Sequence, residues 1–142
     1  MKNQALNVLG AHKIRITPQR VEVYRVLGGN KHLTVDDIYG RITVHFPSMS
    51  LATVYTVLEL YKTKGLVQEI RVEGHKSCFE LRMDPHHHFV CRQCQRILDI
   101  DLAPCPALQR NEVQGHRIER LHGYFVGVCR QCRPGGQDTT PG

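Results

Sequence analysis

The 142-residue chain has no run of roughly 18 consecutive apolar residues, the length a helix needs to cross a bilayer, so no membrane span is expected. Its first twenty residues also lack the apolar stretch of a secretory signal, and the expected location is the cytoplasm. A reducing compartment turns its six cysteines away from disulfides and towards thiols or metal thiolates. There is no H-E-x-x-H sequence and no recognisable pocket motif, so nothing points to a zincin-type hydrolase or to a small organic substrate. No repeat with a period of about 20 to 50 residues is evident, which argues against a solenoid.

What is present suits one domain or two small ones, with 41% apolar residues, enough for globular folding. Two domains of about 60 to 80 residues would be marginal on core burial alone, so an internal staple or a partner chain is expected. The net charge of +6, from 19 basic and 13 acidic residues, identifies no partner by itself. Its distribution is more informative. Residues 1–82 hold 12 Lys/Arg against 7 Asp/Glu, a balance of +5, and residues 83–142 hold 7 against 6.

Through Tyr61 the pattern predicts three helices. Thr17-Pro18 opens one as N-cap and first-turn proline, Val21, Tyr24 and Leu27 recur at helical spacing, and Gly28-Gly29 stops it. Thr34, with Asp37 three residues on, opens the next, in which Val35, Ile38 and Ile42 form the core stripe until Phe46-Pro47. Ser50 caps the third, with Leu51, Val54, Leu58 and Tyr61 inward and Gly65 as its stop. After Gly65 the period changes. Leu66-Val67 and Ile70–Val72 read as a strand, Glu73-Gly74 as a turn and Ser77–Leu81 as the returning strand.

Helices leading into a hairpin predict a winged helix-turn-helix. Ala52, Thr53, Tyr55 and Thr56 lie opposite the core stripe of the third helix, suited either to a DNA major groove or simply to solvent. Lys13, Arg15, Arg20, Lys62 and Lys64 flank this region, suited either to phosphates or, taken singly, to solvent as ordinary surface cations.

Near residues 82 and 83 the composition turns to His, Cys and Asp. The expected domains are therefore a DNA-binding unit, 1–82, a metal-binding unit, 83–132, and a disordered Gly- and Thr-rich tail, 133–142. The second half reads as strands near His88–Val90, Ile97–Ile100 and Tyr124–Val128, with a poorly formed helix from Pro106 to about Gly115.

Two C-x-x-C knuckles, Cys91/Cys94 and Cys129/Cys132, together offer four thiolates, the donor set of a structural zinc with no position left for a catalytic water. Cys78 reads as a small core residue and Cys105 has no evident partner. Before the first knuckle stands Pro85-His86-His87-His88-Phe89. On a strand His86 and His88 share a face, and with Glu80 and Asp99 as carboxylates they suit Fe(II), Mn(II) or Zn(II). Glu80 closes the wing and His86 stands just past the boundary, so one ion held by both would fix the angle between two domains. His32, in the loop before the second helix, reads either as a remote ligand or as an exposed loop histidine.

Taken together, these motifs resemble the ferric uptake regulator family over roughly residues 12–132. The resemblance rests on Arg15-Ile16-Thr17-Pro18-Gln19-Arg20, His32 followed by Asp36-Asp37-Ile38-Tyr39, Ser50 through Tyr55 ahead of Lys64-Gly65-Leu66-Val67, the His-rich segment and both knuckles. It implies an α+β fold, a winged-helix domain followed by a small α/β dimerisation domain, forming a homodimer on palindromic operator DNA. Arg15, Arg20, Ser50, Ala52, Thr53, Tyr55 and Thr56 would be the DNA-facing residues.

Within the family the pattern is most similar to the peroxide-sensing branch, and by that similarity His32, Glu80, His86, His88 and Asp99 fall on the regulatory ligands. Asp99 stands where iron-sensing relatives usually carry Glu. The similarity further implies that His32 and His86 are oxidised by hydrogen peroxide when Fe(II) is bound and not when Mn(II) is. Two departures stand out: Glu80 replaces the branch's usual Asp, and Pro85 and Leu121 fall where an additional metal site needs ligands, so that site is expected to be missing.

Two other classes fit some of the residues. A small metal enzyme would use His86, His88 and Asp99 as a two-His, one-carboxylate face. A zinc-stapled protein-interaction module would require the first half to be something other than a winged helix.

Overall fold

The computed structural model describes residues 2–29, 31–81, 84, 86–102, 110–119 and 123–135. Two compact units divide the chain, Met1–Asp84 and Pro85–Gly142. The expected boundary at residues 82 and 83 lies outside the described residues, as do Pro85, Cys105, Leu121 and, in the expected tail, residues 136–142.

The first unit combines a small sheet with four helices: α1 (Lys2–Ala11), α2 (Pro18–Gly28), α3 (Val35–Ile42) and α4 (Leu51–Thr63). The first is absent from the sequence reading; it buries only Ala5 and Leu9, too sparse a stripe to stand out by period. The other three begin where their caps predict. Thr17 accepts from the Arg20 amide with Pro18 in the first turn, and Thr34 and Asp37 complete a reciprocal capping box. At α4 it is Ser50 that accepts, from the Thr53 amide. Gly65 has φ +67°, a left-handed conformation that ends α4 without the clash a Cβ would bring.

Two stripe assignments are corrected. In α2 the buried residues are Glu22, Val23, Val26 and Leu27, while Val21 and Tyr24 pack only at the margin of the core. Glu22 can occupy that inward phase because Arg25 donates to both of its carboxylate oxygens, at 2.9 and 2.6 Å. In α4 Val54, Val57, Leu58 and Tyr61 are buried, whereas Leu51 is 37% exposed because it opens the helix beyond the edge of the core.

The sheet of this unit has the order β1-β3-β2, from β1 (Leu33–Thr34), β2 (Gln68–Ile70) and β3 (Cys78–Glu80), all antiparallel. The expected hairpin is shorter than read. Leu66 and Val67 are buried but precede β2, and Arg71 and Val72 lie just beyond it. The two-residue β1 lies against β3 through Leu33↔Phe79 and Thr34↔Cys78, which positions the loop carrying His32 beside the C-terminal end of β3. A core of Leu9, Val23, Leu27, Ile38, Ile42, Val54, Leu58, Tyr61 and Phe79, among others, fixes these elements.

The second unit holds a sheet of order β5-β4-β8, from β4 (His87–Cys91), β5 (Ile97–Ile100) and β8 (Phe125–Gly127); β4 pairs antiparallel with β5 and parallel with β8. A Cβ at Gly127 would stand 3.1 Å from the Phe89 ring, which would have to shift by a few tenths of an ångström to admit one. The expected helix from Pro106 is corrected over its described part. Residues 112–117 form a hairpin, β6 (Glu112–Val113) with β7 (His116–Arg117), turned by Gln114 at φ 50° and Gly115 at φ 80°. No helix of the described residues is long and apolar enough to cross a membrane.

Candidate metal centres

Cys91 ends β4, Cys94 closes the turn after it, and Cys129 and Cys132 lie beyond β8. The parallel pairing of Cys91 with Gly127 therefore carries the second knuckle to the first. All four sulfurs lie within 4.8 Å of one another. Backbone N–H groups of Cys129 and Cys94 point at Cys91 Sγ from 3.3 and 3.5 Å. Those donors hold its thiol well down, to about 6. The Arg96 guanidinium lowers the Cys94 thiol. Cys132, hydrogen-bonded to the Cys129 sulfur, is pushed up to about 12. Four thiols this close cannot all ionise without a cation between them, which a divalent ion would supply. The set fits tetrahedral zinc.

Within the same unit, His86, His88 and Asp99 come together. His88 is opposite Asp99 in the β4/β5 register. The Nε2 atoms of His86 and His88 are 3.0 Å apart, and they lie 3.4 and 3.6 Å respectively from Asp99 Oδ1. His87 takes the other face of the strand, with its ring centroid 5.7 Å from that of Phe125. Two imidazole nitrogens and a carboxylate oxygen at this spacing fit an intermediate-to-hard divalent ion.

In the first unit His32 and Glu80 form a second pair, with Nε2 3.4 Å from Oε2. His32 has φ 55°, an uncommon conformation that histidine tolerates better than most residues. Glu80 is only 1% exposed, and Gln68, its partner across the β2/β3 ladder, donates through Nε2 to its Oε1. Sequence reasoning missed Gln68. Counting outward from Gly74, from which positions 68 and 80 are equally distant, would have found it. Cys78 is a buried free cysteine whose thiol burial pushes up, and its sulfur faces the Lys76 carbonyl at 3.6 Å.

The residues expected to face DNA are on the surface of the first unit. Ser50, Ala52, Tyr55 and Thr56 are exposed and Thr53 is half-buried, all at the N-terminal end of α4. Arg15 is exposed, and Arg20 donates to the Arg15 carbonyl at 2.7 Å. Of the flanking cations, Lys62 is committed elsewhere, to Glu59 and Glu69 at 2.9 and 2.6 Å.

Comparison with known proteins identifies the family. The chain is 34% identical over 128 residues to the peroxide-responsive repressor PerR of Staphylococcus aureus (strain Mu50 / ATCC 700699), covering 84% of this chain and 83% of that one. The peroxide stress regulator of Campylobacter jejuni superposes with a TM-score of 0.66 at 32% identity, covering 89% of this chain and 98% of that one. The ferric uptake regulator Fur of Helicobacter pylori shares the fold, with a TM-score of 0.71 at 18% identity over 99% and 97% of the two chains. The sequence profile of the ferric uptake regulator family matches residues 11–124, and the chain therefore belongs to that family of transcriptional regulators, which are not enzymes.

Proposed function

We propose that the chain is a cytoplasmic, metal-dependent transcriptional repressor that binds palindromic operator DNA as a homodimer and responds to hydrogen peroxide through iron-dependent oxidation of a histidine. The observation that carries this reading is the triplet of His86, His88 and Asp99, with donor atoms 3.0 to 3.6 Å apart. In it, the winged-helix domain spans 1–82 and the dimerisation domain 83–132. Cys91, Cys94, Cys129 and Cys132 hold a structural zinc. His32, Glu80, His86, His88 and Asp99 are the proposed ligands of Fe(II) or Mn(II).

Support comes from the 34% identity to a peroxide-responsive repressor, and from the chemistry of the donors. Two carboxylates among five ligands neutralise a divalent ion, so the set assembles fully only when the metal is present. Bound ferrous iron would supply the redox chemistry for histidine oxidation, lending an electron to the O–O bond of peroxide and regaining one as the ring is oxygenated. The net change is insertion of one oxygen into a ring C–H of His32 or His86 while the other leaves as water. An oxidised ring is a poorer ligand, metal is lost and DNA is released. Ser50, Ala52, Thr53, Tyr55 and Thr56 read the major groove, and Arg15 and Arg20 meet phosphates.

Glu80 favours a second reading, an iron-responsive repressor without peroxide sensing, because its longer arm departs from the aspartate usual in the peroxide-sensing branch. One experiment separates the two: operator binding by the zinc-loaded chain with Fe(II) or Mn(II), before and after a peroxide pulse, with mass spectrometry of His32 and His86. Loss of binding in the iron form alone, with oxygen on a histidine, is the expected result. Binding that survives peroxide moves the assignment to the iron-responsive reading, and no binding with any metal sinks the repressor.

A further inference from the structure

The two knuckles share the sequence Cys-Arg-Gln-Cys but differ in their next two residues, which are Gln95-Arg96 at the first and Arg133-Pro134 at the second. Arg96 is exposed, yet its guanidinium turns back onto the cysteines. Its Nε donates to Cys94 Sγ at 3.5 Å, and its Nη2 donates to Cys129 Sγ at 4.0 Å and to the side-chain oxygen of Gln131. The Arg96 carbonyl accepts from the Cys91 amide at 3.0 Å. A single residue thus touches both knuckles, and the two sulfurs it meets, 3.8 Å apart, come one from each. Pro134, at the equivalent position of the second knuckle, has no side-chain donor to do the same.

Zinc with four thiolates is anionic, and the charge rests on sulfur, where oxidants and electrophiles attack. A guanidinium donating to sulfur is a charge-assisted donor; it draws density from the lone pairs that attack requires and ties the sulfurs to a fixed geometry. We propose that Arg96 is the positioning residue that keeps the zinc thiolates inert towards peroxide, by donating to Cys94 and Cys129 and bracing both knuckles on one ion. This role for Arg96 rests on the proposed zinc at the four cysteines. The reaction it slows is balanced: two thiolates lose two electrons and join as a disulfide, peroxide takes those electrons with two protons and leaves as two waters, and the ion loses two ligands and departs. A repressor that answers peroxide through a histidine needs its structural thiolates to react more slowly than that histidine.

The test uses the full chain loaded with zinc and free of iron. Zinc release into a chromogenic chelator is monitored after addition of hydrogen peroxide, for the wild type, Arg96→Gln and Arg96→Lys, and early disulfides are mapped by mass spectrometry. R96Q is expected to release zinc about tenfold faster, the equivalent of losing one charge-assisted hydrogen bond of roughly 1.4 kcal/mol, with a Cys94–Cys129 disulfide forming first. R96K keeps the charge but not the forked donor, and is expected to fall between. Equal rates in wild type and R96Q overturn the proposal. If R96Q retains no zinc, R96K decides: a rate above wild type supports the proposal and a wild-type rate overturns it. Failure of the zinc reading itself is visible earlier, as wild-type chain holding less than one zinc before peroxide is added, and it would overturn both.

Discussion

Gln68 and Glu80 face each other across the β2/β3 ladder, and the amide of one donates to the buried carboxylate of the other. The carboxylate is thereby oriented, with its second oxygen turned to His32 at 3.4 Å. A residue that aims a ligand carboxylate is typically worth about 10- to 100-fold in metal affinity. Gln68→Leu is therefore expected to weaken Mn(II) binding by about that factor, read by titration against a competing chelator. Without metal it should lower first-unit stability by roughly 1 to 3 kcal/mol, because a buried carboxylate loses a donor. Unchanged affinity would remove Glu80 from the proposed ligand set.

Removal of zinc is expected to act on the second unit. Cys91 is fully buried at the end of β4, and its sulfur collects amides from both knuckles, so Cys91→Ser should abolish zinc retention. The parallel β4/β8 pairing, which joins segments far apart in sequence, should open with it. Hydrogen exchange checks this: amides of Phe89–Cys91 and Phe125–Gly127 should lose protection while those of α2–α4 keep theirs.

The parts legible in the sequence were those whose chemistry is local. Thr17-Pro18, Thr34 with Asp37, and Ser50 each declare a helix start within four residues, and all three caps form. The alternation of His86 and His88 needed only the two-residue period of a strand. Long-range or weakly patterned features were hidden. The inward phase of α2 is blurred by Glu22, which is buried only because Arg25 neutralises it. Two-residue β1 exists because β3 offers it an edge, so nothing in Leu33-Thr34 announces a strand. The helix expected from Pro106 overlooked Gln114-Gly115, a turn pair that closes a hairpin. Gln68 and Arg96 have no motif of their own; each matters through a partner brought to it by folding.

Acid should expose one ion-pair network in the first unit. Burial raises the Glu69 carboxyl, but hydrogen bonds from Lys62, Arg71 and Ser77 outweigh it and hold the group down at about 2 against an ordinary 4.5. Because the folded value is depressed, the stabilisation is fully present above pH 4.5 and is lost as pH falls towards about 2. It amounts to about 3 kcal/mol at most. Glu69→Gln should lower stability near neutral pH and flatten its dependence over that window, so that wild type and variant converge in acid. Among the described residues all helices belong to the first unit, so urea unfolding monitored by helical far-UV dichroism reports on it.

Tyr55 tests whether the outer face of α4 binds DNA or is merely solvated. The residue is 51% exposed, and neighbouring hydroxyls are already used within the helix: Thr56 donates to the Ala52 carbonyl at 3.0 Å, and Ser50 and Thr53 share a hydrogen bond of 2.9 Å. Tyr55 lies outside the buried core cluster, so Tyr55→Ala should change stability by less than about 0.5 kcal/mol. If the face enters the major groove, the same change should weaken specific operator binding by roughly 1 to 3 kcal/mol and leave non-specific binding little altered. Arg15→Ala should do the reverse, weakening both and reducing the slope of log affinity against log salt by about 1, the signature of one lost phosphate contact. Parallel losses in both variants would mean that α4 meets only the backbone and that sequence is read elsewhere.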